Sequence, residues 1–414
     1  MLEKQIKNEL RNFIHSNFMV SEELRGFSDT DSFLHKGIID SMGIIELLAF
    51  VQKQYRIHIE PSEVLPKNFD SLENLELYIR SKTEPTLDAL VSESARKWPD
   101  GIALLDENES DLTYRKLETW VNIFSNRLIR LGVKRGERVA ILSRNSFESV
   151  SIYFALLRVG AVVVWLNHSS DAKELGAVSK DAGISLLLHE AEFKAKAEKI
   201  ASDYGAKAVQ PSELKSISDE NKNFKSVARA EDLAAIVYTS GSTDKPLGVM
   251  LTHRNLLSNN EHIAAYLNLT CEDRVCCVLP FYYIYGLSLL LSHLAVGGSV
   301  VLENRFSYPQ AALEGMKNQK VTGFSGVSSH FILLMNHTDF LNQELPFLRY
   351  FTHAGDKMPV AVTEKILKAF PKKKLFLMYG QTEASPRISY LDPHQTAKKP
   401  ASAGKALKIL NCRF

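Results

Sequence analysis

Between Leu233 and Asn255 the chain reads LAAIVYTSGSTDKPLGVMLTHRN. Thr239, Ser240, Gly241, Ser242, Thr243 and Lys245 bring hydroxyls, unhindered backbone N–H groups and an ammonium group into one short stretch. A loop of small residues lets its backbone approach an anion closely and supplies many donors, and a triphosphate is the anion such a set suits best. Leu233 to Val237 is an apolar run of the buried-strand kind, and Thr252 stands where a helix N-cap belongs, so the stretch reads as strand, loop and helix. Taken alone, the run reads first as a polar surface loop after a buried strand. It is neither a Walker A loop nor a dinucleotide fingerprint, because neither glycine spacing occurs in the sequence.

Three further groups could do chemistry. Tyr379-Gly380-Gln381-Thr382-Glu383 offers an aromatic face, a hydroxyl and a hard carboxylate oxygen, types that suit a base, an anion and a hard cation such as Mg²⁺. The same string also reads as a glycine turn before a capped helix start. Phe281, Tyr282, Tyr283 and Tyr285 form an amphipathic cluster that suits the wall of an apolar pocket, or equally an aromatic core patch. Asp40-Ser41 opens a helix, where free N–H groups and the dipole favour an anion; a serine there is most often simply the N-cap. No G-x-S-x-G and no positioned base accompany Ser41, which argues against a serine nucleophile.

The elements that must position these groups divide the 414 residues in two. Residues 1–82 read as four helices without a strand. Leu2, Ile6, Leu10, Phe13, Ile14 and Phe18 recur at helical spacing, and Ile44, Leu47, Leu48 and Val51 do so after Ser41. A short turn near Pro61 to Leu65 precedes a last helix, with Asp70 and Glu73 as its start signal and Leu72, Leu75 and Ile79 inward. Ser81 to Pro85 is a short polar linker closed by proline. Residues 83–414 alternate helix and strand. Helices are expected at Tyr114 to Leu131 and Ser146 to Val159, and strands at Arg138 to Leu142, Ala161 to Leu166, Ser185 to Leu188 and Leu233 to Val237. Such βαβ units make a mainly parallel α/β sheet.

Composition narrows the function classes. With 45% hydrophobic and 24% charged residues the chain is an ordinary globular protein of two or more domains. A net charge of +2 gives no footing for nucleic acid, and the lysines of Lys194 to Lys199 and Lys372 to Lys374 read as solvated faces. Cys271, Cys276, Cys277 and Cys412 have neither metal-ligand spacing nor a secreted framework, which points to reduced thiols in a cytoplasm. The N-terminus lacks an apolar signal core. Ile284 to Leu302 is the longest apolar stretch, but His293 and Gly297-Gly298 make it a buried helix followed by a strand and not a membrane span.

Taken together, the string from Tyr238 to Val249 resembles the phosphate loop of the AMP-forming acyl, aryl and amino-acid ligases, the adenylate-forming superfamily, and the other motifs follow in that family's order. Asp244 stands where the family usually has Gly, and Leu247 where it usually has Lys. Leu112 to Leu117, Gly136 to Ala140 and Gly160 to Val162 are similar to the family's opening segments and carry no chemistry. By the same resemblance, Gly355 and Asp356 belong to the adenine-contacting loop, and Tyr379 with Gly380 to the adenine stack. Thr382 bonds the substrate carboxylate or α-phosphate, Glu383 binds Mg²⁺, and Lys245 contacts phosphate. The acyl pocket falls on Tyr282, Tyr283, Tyr285, Phe324, Ser325 and Gly326, with Tyr283 where many members have His. Amino-acid-activating members often carry an Asp in this aromatic segment. Its absence favours a fatty or aromatic acid without an α-amino group.

Gly37 to Leu47 resembles the attachment site of acyl and peptidyl carrier proteins, in which the serine, here Ser41, carries 4′-phosphopantetheine. The implied whole is a carrier bundle ahead of an α/β ligase domain that uses ATP and Mg²⁺ to make an acyl-adenylate, then passes the acyl group to the carrier thiol. Its partners are the acid, a phosphopantetheinyl transferase, and coenzyme A or downstream acyl-transfer enzymes. The alternatives are an acyl-CoA synthetase using free coenzyme A, and a carrier with a nucleotide-binding module that does not turn over. The resemblance places the ribose clamp and a lysine-bearing C-terminal domain past Phe414, so the chain as written is expected to bind ATP·Mg²⁺ weakly and to lack turnover.

Overall fold

The computed structural model describes residues 2–18, 26–108, 110–214, 223–239 and 246–407. They group into two compact units, Met1–Pro85 with Arg229–Glu231, and Thr86–Ala228 with Asp232–Phe414.

In the first unit the apolar spacing produces helices Leu2–Asn17, Ser41–Tyr55, Pro66–Phe69 and Leu72–Thr83, with a 3₁₀ turn at Pro61–Glu63. Ile6, Leu10 and Ile14 from the first helix meet Leu47 and Val51 from the second and Leu72, Leu75 and Ile79 from the last in one buried core. The i, i+3, i+4 stripes therefore face one another as their spacing requires. Asp40 and not the adjacent Ser41 caps the second helix, its Oδ1 accepting from Gly43 N at 2.7 Å. One start signal differs from expectation. Ser71 and not Asp70 caps the last, accepting from Asn74 N at 3.1 Å. Asp70 instead takes the Ser32 hydroxyl at 2.6 Å and Leu34 N at 3.0 Å, because a preceding loop brings better donors to it than the helix end does.

The second unit holds two sheets. The larger has nine strands in the order Lys405–Ala406, Arg387–Tyr390, Lys374–Gly380, Tyr350–His353, Gly323–Gly326, Arg274–Cys277, Ser299–Leu302, Ile102–Asp106 and Asp111–Thr113. The six from Lys374–Gly380 to Ile102–Asp106 pair in parallel, and the outer strands are antiparallel. The smaller sheet runs Lys207–Val209, Leu186–His189, Arg138–Leu142, Val162–Trp165, Leu233–Thr239 and Leu247–Thr252, parallel except for the last pair. Runs such as VVVW at Val162–Trp165 and LLLH at Leu186–His189 are buried at every position, as a parallel sheet covered on both faces demands.

One element departs from the strand, loop and helix reading. Leu247–Thr252 is a second strand that pairs antiparallel with Leu233–Thr239, with Thr239 opposite Leu247 and Val237 opposite Val249. Thr252 then caps helix His253–Leu267 through a reciprocal pair with Asn255, at 3.1 and 3.0 Å. Helix Ile284–Ala295 followed by strand Ser299–Leu302 accounts for the longest apolar run, and no helix among the described residues is long and apolar enough to cross a membrane.

Candidate active site

Ser240, Gly241, Ser242, Thr243 and Lys245, together with Asp244, lie outside the described residues. Their flanks are fixed: Thr239 ends strand Leu233–Thr239, and the neighbouring Tyr238 hydroxyl donates to Asp181 at 2.6 Å.

Strand Lys374–Gly380 delivers Tyr379 and Gly380 to a cleft of ≈ 310 Å³ that is lined also by the loop after the neighbouring parallel strand Tyr350–His353, which carries Gly355 and Asp356. Pro400 to Ala403 line the same cleft. Four of the predicted nucleotide residues are thus brought together from segments more than 20 positions apart. Tyr379 keeps 46% of its surface exposed, which leaves its ring free to stack on a planar ligand. Asp356 is engaged by the protein itself, its carboxylate meeting His353 Nε2 at 2.9 Å and Ser328 N at 3.2 Å, so the loop is held by its own chain. Burial lowers the His353 pKa, with Asp356 opposing that shift.

Thr382 and Glu383 follow in a 3₁₀ turn, Thr382–Ala384, with Glu383 exposed at its tip. Gly380 allows the strand to reach this turn: a Cβ there would sit 1.9 Å from the Pro386 carbonyl oxygen. Among the described residues no three His, Cys, Asp or Glu side chains gather to form a metal cage. A single exposed carboxylate suits Mg²⁺ shared with phosphate oxygens and water, which is how that ion usually binds beside a nucleotide.

The predicted acyl-pocket residues separate into two environments. Phe281 and Tyr285 are buried, and the Tyr285 hydroxyl shares a hydrogen bond of 2.8 Å with Thr352 Oγ1, which also meets the buried Ser325 Oγ at 2.6 Å. Burial pushes the Tyr285 phenol well above its ordinary pKa. Phe324 lies edge-on to Phe331 at 5.4 Å inside the core, and Gly326 ends the same buried strand. Tyr283, in contrast, is 52% exposed, and Tyr282 is half-buried against His168 at 5.5 Å. The four aromatic rings therefore do not share one wall. Residues 281–285 run from a turn into a helix start, and that geometry sends successive side chains in different directions.

Two residues absent from the motifs matter here. Asn259, on helix His253–Leu267, donates to the carbonyls of Ala384 at 3.1 Å and Arg387 at 2.8 Å. Arg387 is only 2% exposed, and its guanidinium lies 5.1 Å from the Tyr285 ring centroid. The one sequence signal for it is a lone charge immediately before the largely apolar run Ile388 to Leu391 that follows the Thr382-Glu383 turn. Elsewhere, Cys276 and Cys277 are fully buried, and burial pushes the Cys277 thiol up to about 12, so neither is available as a nucleophile.

The sequence profile described as AMP-binding enzyme matches residues 91–413. The chain belongs to the AMP-binding enzyme family. Feruloyl-CoA synthase from Amycolatopsis sp is 32% identical over 297 residues, covering 71% of this chain and 59% of that protein. The 2-succinylbenzoate–CoA ligase of Bacillus subtilis (strain 168) is 29% identical over 314 residues, 76% of this chain and 62% of that one. The chain thus spans roughly three-fifths of these relatives' length. Among solved structures, VinN in complex with L-aspartate superposes with a TM-score of 0.71 at 27% identity, over 78% of this chain and 83% of VinN. The α/β architecture with mostly parallel sheets is therefore that of the adenylate-forming fold.

Proposed function

We propose that the protein activates a carboxylic acid with ATP, forming an acyl-adenylate and pyrophosphate, and then passes the acyl group to a thiol. The observation that carries this reading is the cleft lined together by Tyr379, Gly380, Gly355 and Asp356, with the turn bearing Thr382 and Glu383 following directly after Gly380 and Gln381. Tyr379 stacks on adenine, Thr382 bonds the carboxylate or α-phosphate, and Glu383 shares Mg²⁺ with the phosphates. The hydroxyl, backbone and ammonium donors from Ser240 to Lys245 serve the β- and γ-phosphates. This division of labour is electrostatic and positional: donors and metal offset phosphate charge while the carboxylate is held in line with phosphorus.

Coenzyme A is the better-supported acceptor, since the relatives above are named as CoA synthases and ligases. The acid lacks an α-amino group, because the segment from Leu279 to Leu287 has no carboxylate to hold one. A carrier role for the first unit is a second reading, favoured by one observation: Asp40 supplies the helix cap, which leaves the exposed Ser41 hydroxyl without a hydrogen bond among the described residues.

Calorimetric titration with ATP·Mg²⁺ tests the main reading. Wild type should bind, and Tyr379→Ala should weaken binding by about 5- to 150-fold, the range of a lost base–aromatic stack. Equal affinity in the two proteins would remove the adenine assignment. Tighter binding of an α-amino acid such as L-aspartate than of its deaminated analogue would remove the clause about the amino group.

A further inference from the structure

Strand Arg387–Tyr390 pairs antiparallel to Lys374–Gly380, with Arg387 directly opposite Gly380. The backbone that supplies the adenine-side residues therefore also fixes the root of a guanidinium group. That group points inward. Arg387 is almost wholly buried, its Nε has no hydrogen-bond partner, and no carboxylate among the described residues pairs with it. Its immediate company is aromatic and neutral: apart from Nε, the guanidinium hydrogen-bonds the Tyr266 hydroxyl, which carries no negative charge. The guanidinium carbon is 5.1 Å from the Tyr285 ring centroid, and its charge acts on the phenols of both Tyr266 and Tyr285. Tyr266 is itself stacked on Tyr390 at 4.2 Å.

A buried, permanently charged guanidinium is costly unless an anion compensates it, and a ring face offsets only part of that cost. Here the hydroxyls of Tyr285, Thr352 and Ser325 form a neutral polar chain on one side, which can accept or donate hydrogen bonds but carries no negative charge. The missing anion must then come from what the site binds. Depth orders the groups: Glu383 is exposed on its turn, Thr382 is half-exposed beside it, and Arg387 is buried. Arg387 lies against Tyr285, which with Ser325 belongs to the expected acyl pocket, so a second anionic group at the far end of an acid held by Thr382 is the ligand group suited to meet the guanidinium there.

We infer that the acid activated at this site carries a second anionic group, a distal carboxylate, and that Arg387 is the specificity-determining counter-ion for it. This rests on the acid-activation reading above and narrows its substrate class to dicarboxylic acids. The guanidinium fork matches a carboxylate in bidentate fashion, and Arg387 needs no deprotonation to do so. A wholly apolar fatty acid would leave the charge buried without a partner.

The test uses the 414-residue chain with ATP·Mg²⁺ present and matched acids of equal carbon count, with and without the second carboxylate: propionate and malonate, butyrate and succinate, valerate and glutarate, 2-methylbenzoate and phthalate. Calorimetry should show at least one diacid binding about 30-fold or more tightly than its monoacid, as expected for a buried charge pair. Arg387→Met should abolish that preference, and Arg387→Lys should retain part of it. Thermal melting of each variant, with ATP titrated separately, reports whether the fold and nucleotide site survive. If Arg387→Met does not fold, Arg387→Lys decides, since an ammonium keeps the charge but loses the fork and should lower the diacid-to-monoacid ratio. Failure of ATP to bind would overturn the acid-activation reading. ATP binding with no diacid preference in wild type, or a preference that persists in Arg387→Met, or variants that lose melting temperature with unchanged selectivity, would overturn the role of Arg387 alone.

Discussion

Asn259 grips the backbone of Arg387 from both sides: its Nδ2 donates to the Arg387 carbonyl at 2.8 Å, and its Oδ1 accepts from the Arg387 N–H at 3.1 Å. A third bond to Ala384 O joins helix His253–Leu267 to the turn bearing Thr382 and Glu383. Asn259→Ala leaves these buried backbone groups unpaired. Each costs about 1–3 kcal/mol when unsatisfied, so chemical denaturation should show a loss of at least about 1–3 kcal/mol. The affinity for ATP·Mg²⁺ should fall as the turn loosens. A variant with wild-type stability and nucleotide affinity would show that the clamp is not used.

Gly380 is the tighter constraint. Its added Cβ would meet the Pro386 carbonyl oxygen, a backbone atom that cannot swing aside. Gly380→Ala should therefore cost about 1–3 kcal/mol as an overpacked site. ATP should no longer raise its melting temperature. Retained nucleotide stabilisation in this variant would contradict the close approach.

Ser41 should accept the 4′-phosphopantetheine arm from coenzyme A when the chain is incubated with a broad-specificity phosphopantetheinyl transferase. Intact-mass analysis should show a single added arm on wild type and none on Ser41→Ala. Because Ser41 is exposed and Asp40 holds the cap, the substitution should change stability by no more than about 0.5 kcal/mol. An unmodified wild-type chain would remove the carrier reading and leave the ligase reading standing.

Acid should destabilise the fold through buried histidines. Burial holds His293 and His330 down to about 4, and lowers His253 as well, against 6.5 for a free imidazole. The unfolded chain therefore binds more protons than the folded one between these values. Stability is complete above about pH 6.5 and declines as pH falls toward 4, each histidine adding up to about 1.4 kcal/mol per pH unit. Denaturation at a series of pH values should show this slope. His293→Gln should make it shallower by close to one proton, because His293 lies between Leu289 O and the Tyr350 hydroxyl, at 2.9 Å from each, with no solvent to share the charge.

Local pattern was sufficient for most of the elements. The apolar spacing of Tyr114 to Leu131 and the run from Arg138 to Leu142 each became an element with those bounds, because periodicity and turn residues act over a few positions. The motif strings also associate Gly355, Asp356, Tyr379 and Gly380, which line one cleft. What sequence could not supply was partnership and depth. Strand Leu247–Thr252 escaped because it is an edge strand of mixed exposure, with Leu247 and Met250 facing out, and only its pairing with Leu233–Thr239 makes it regular. Asp40 and Ser41 are adjacent and both cap-competent, and backbone geometry alone chose between them. Arg387 belongs to none of the motifs. Its burial comes from Gly380 across the strand pair, Tyr285 a hundred residues earlier and Asn259 on another helix, contacts that no local window contains. Residue types thus decided which chemistry the chain could offer, while tertiary packing decided which side chains meet, because the cost of burying a charge depends on every neighbour and not on the residues beside it in sequence.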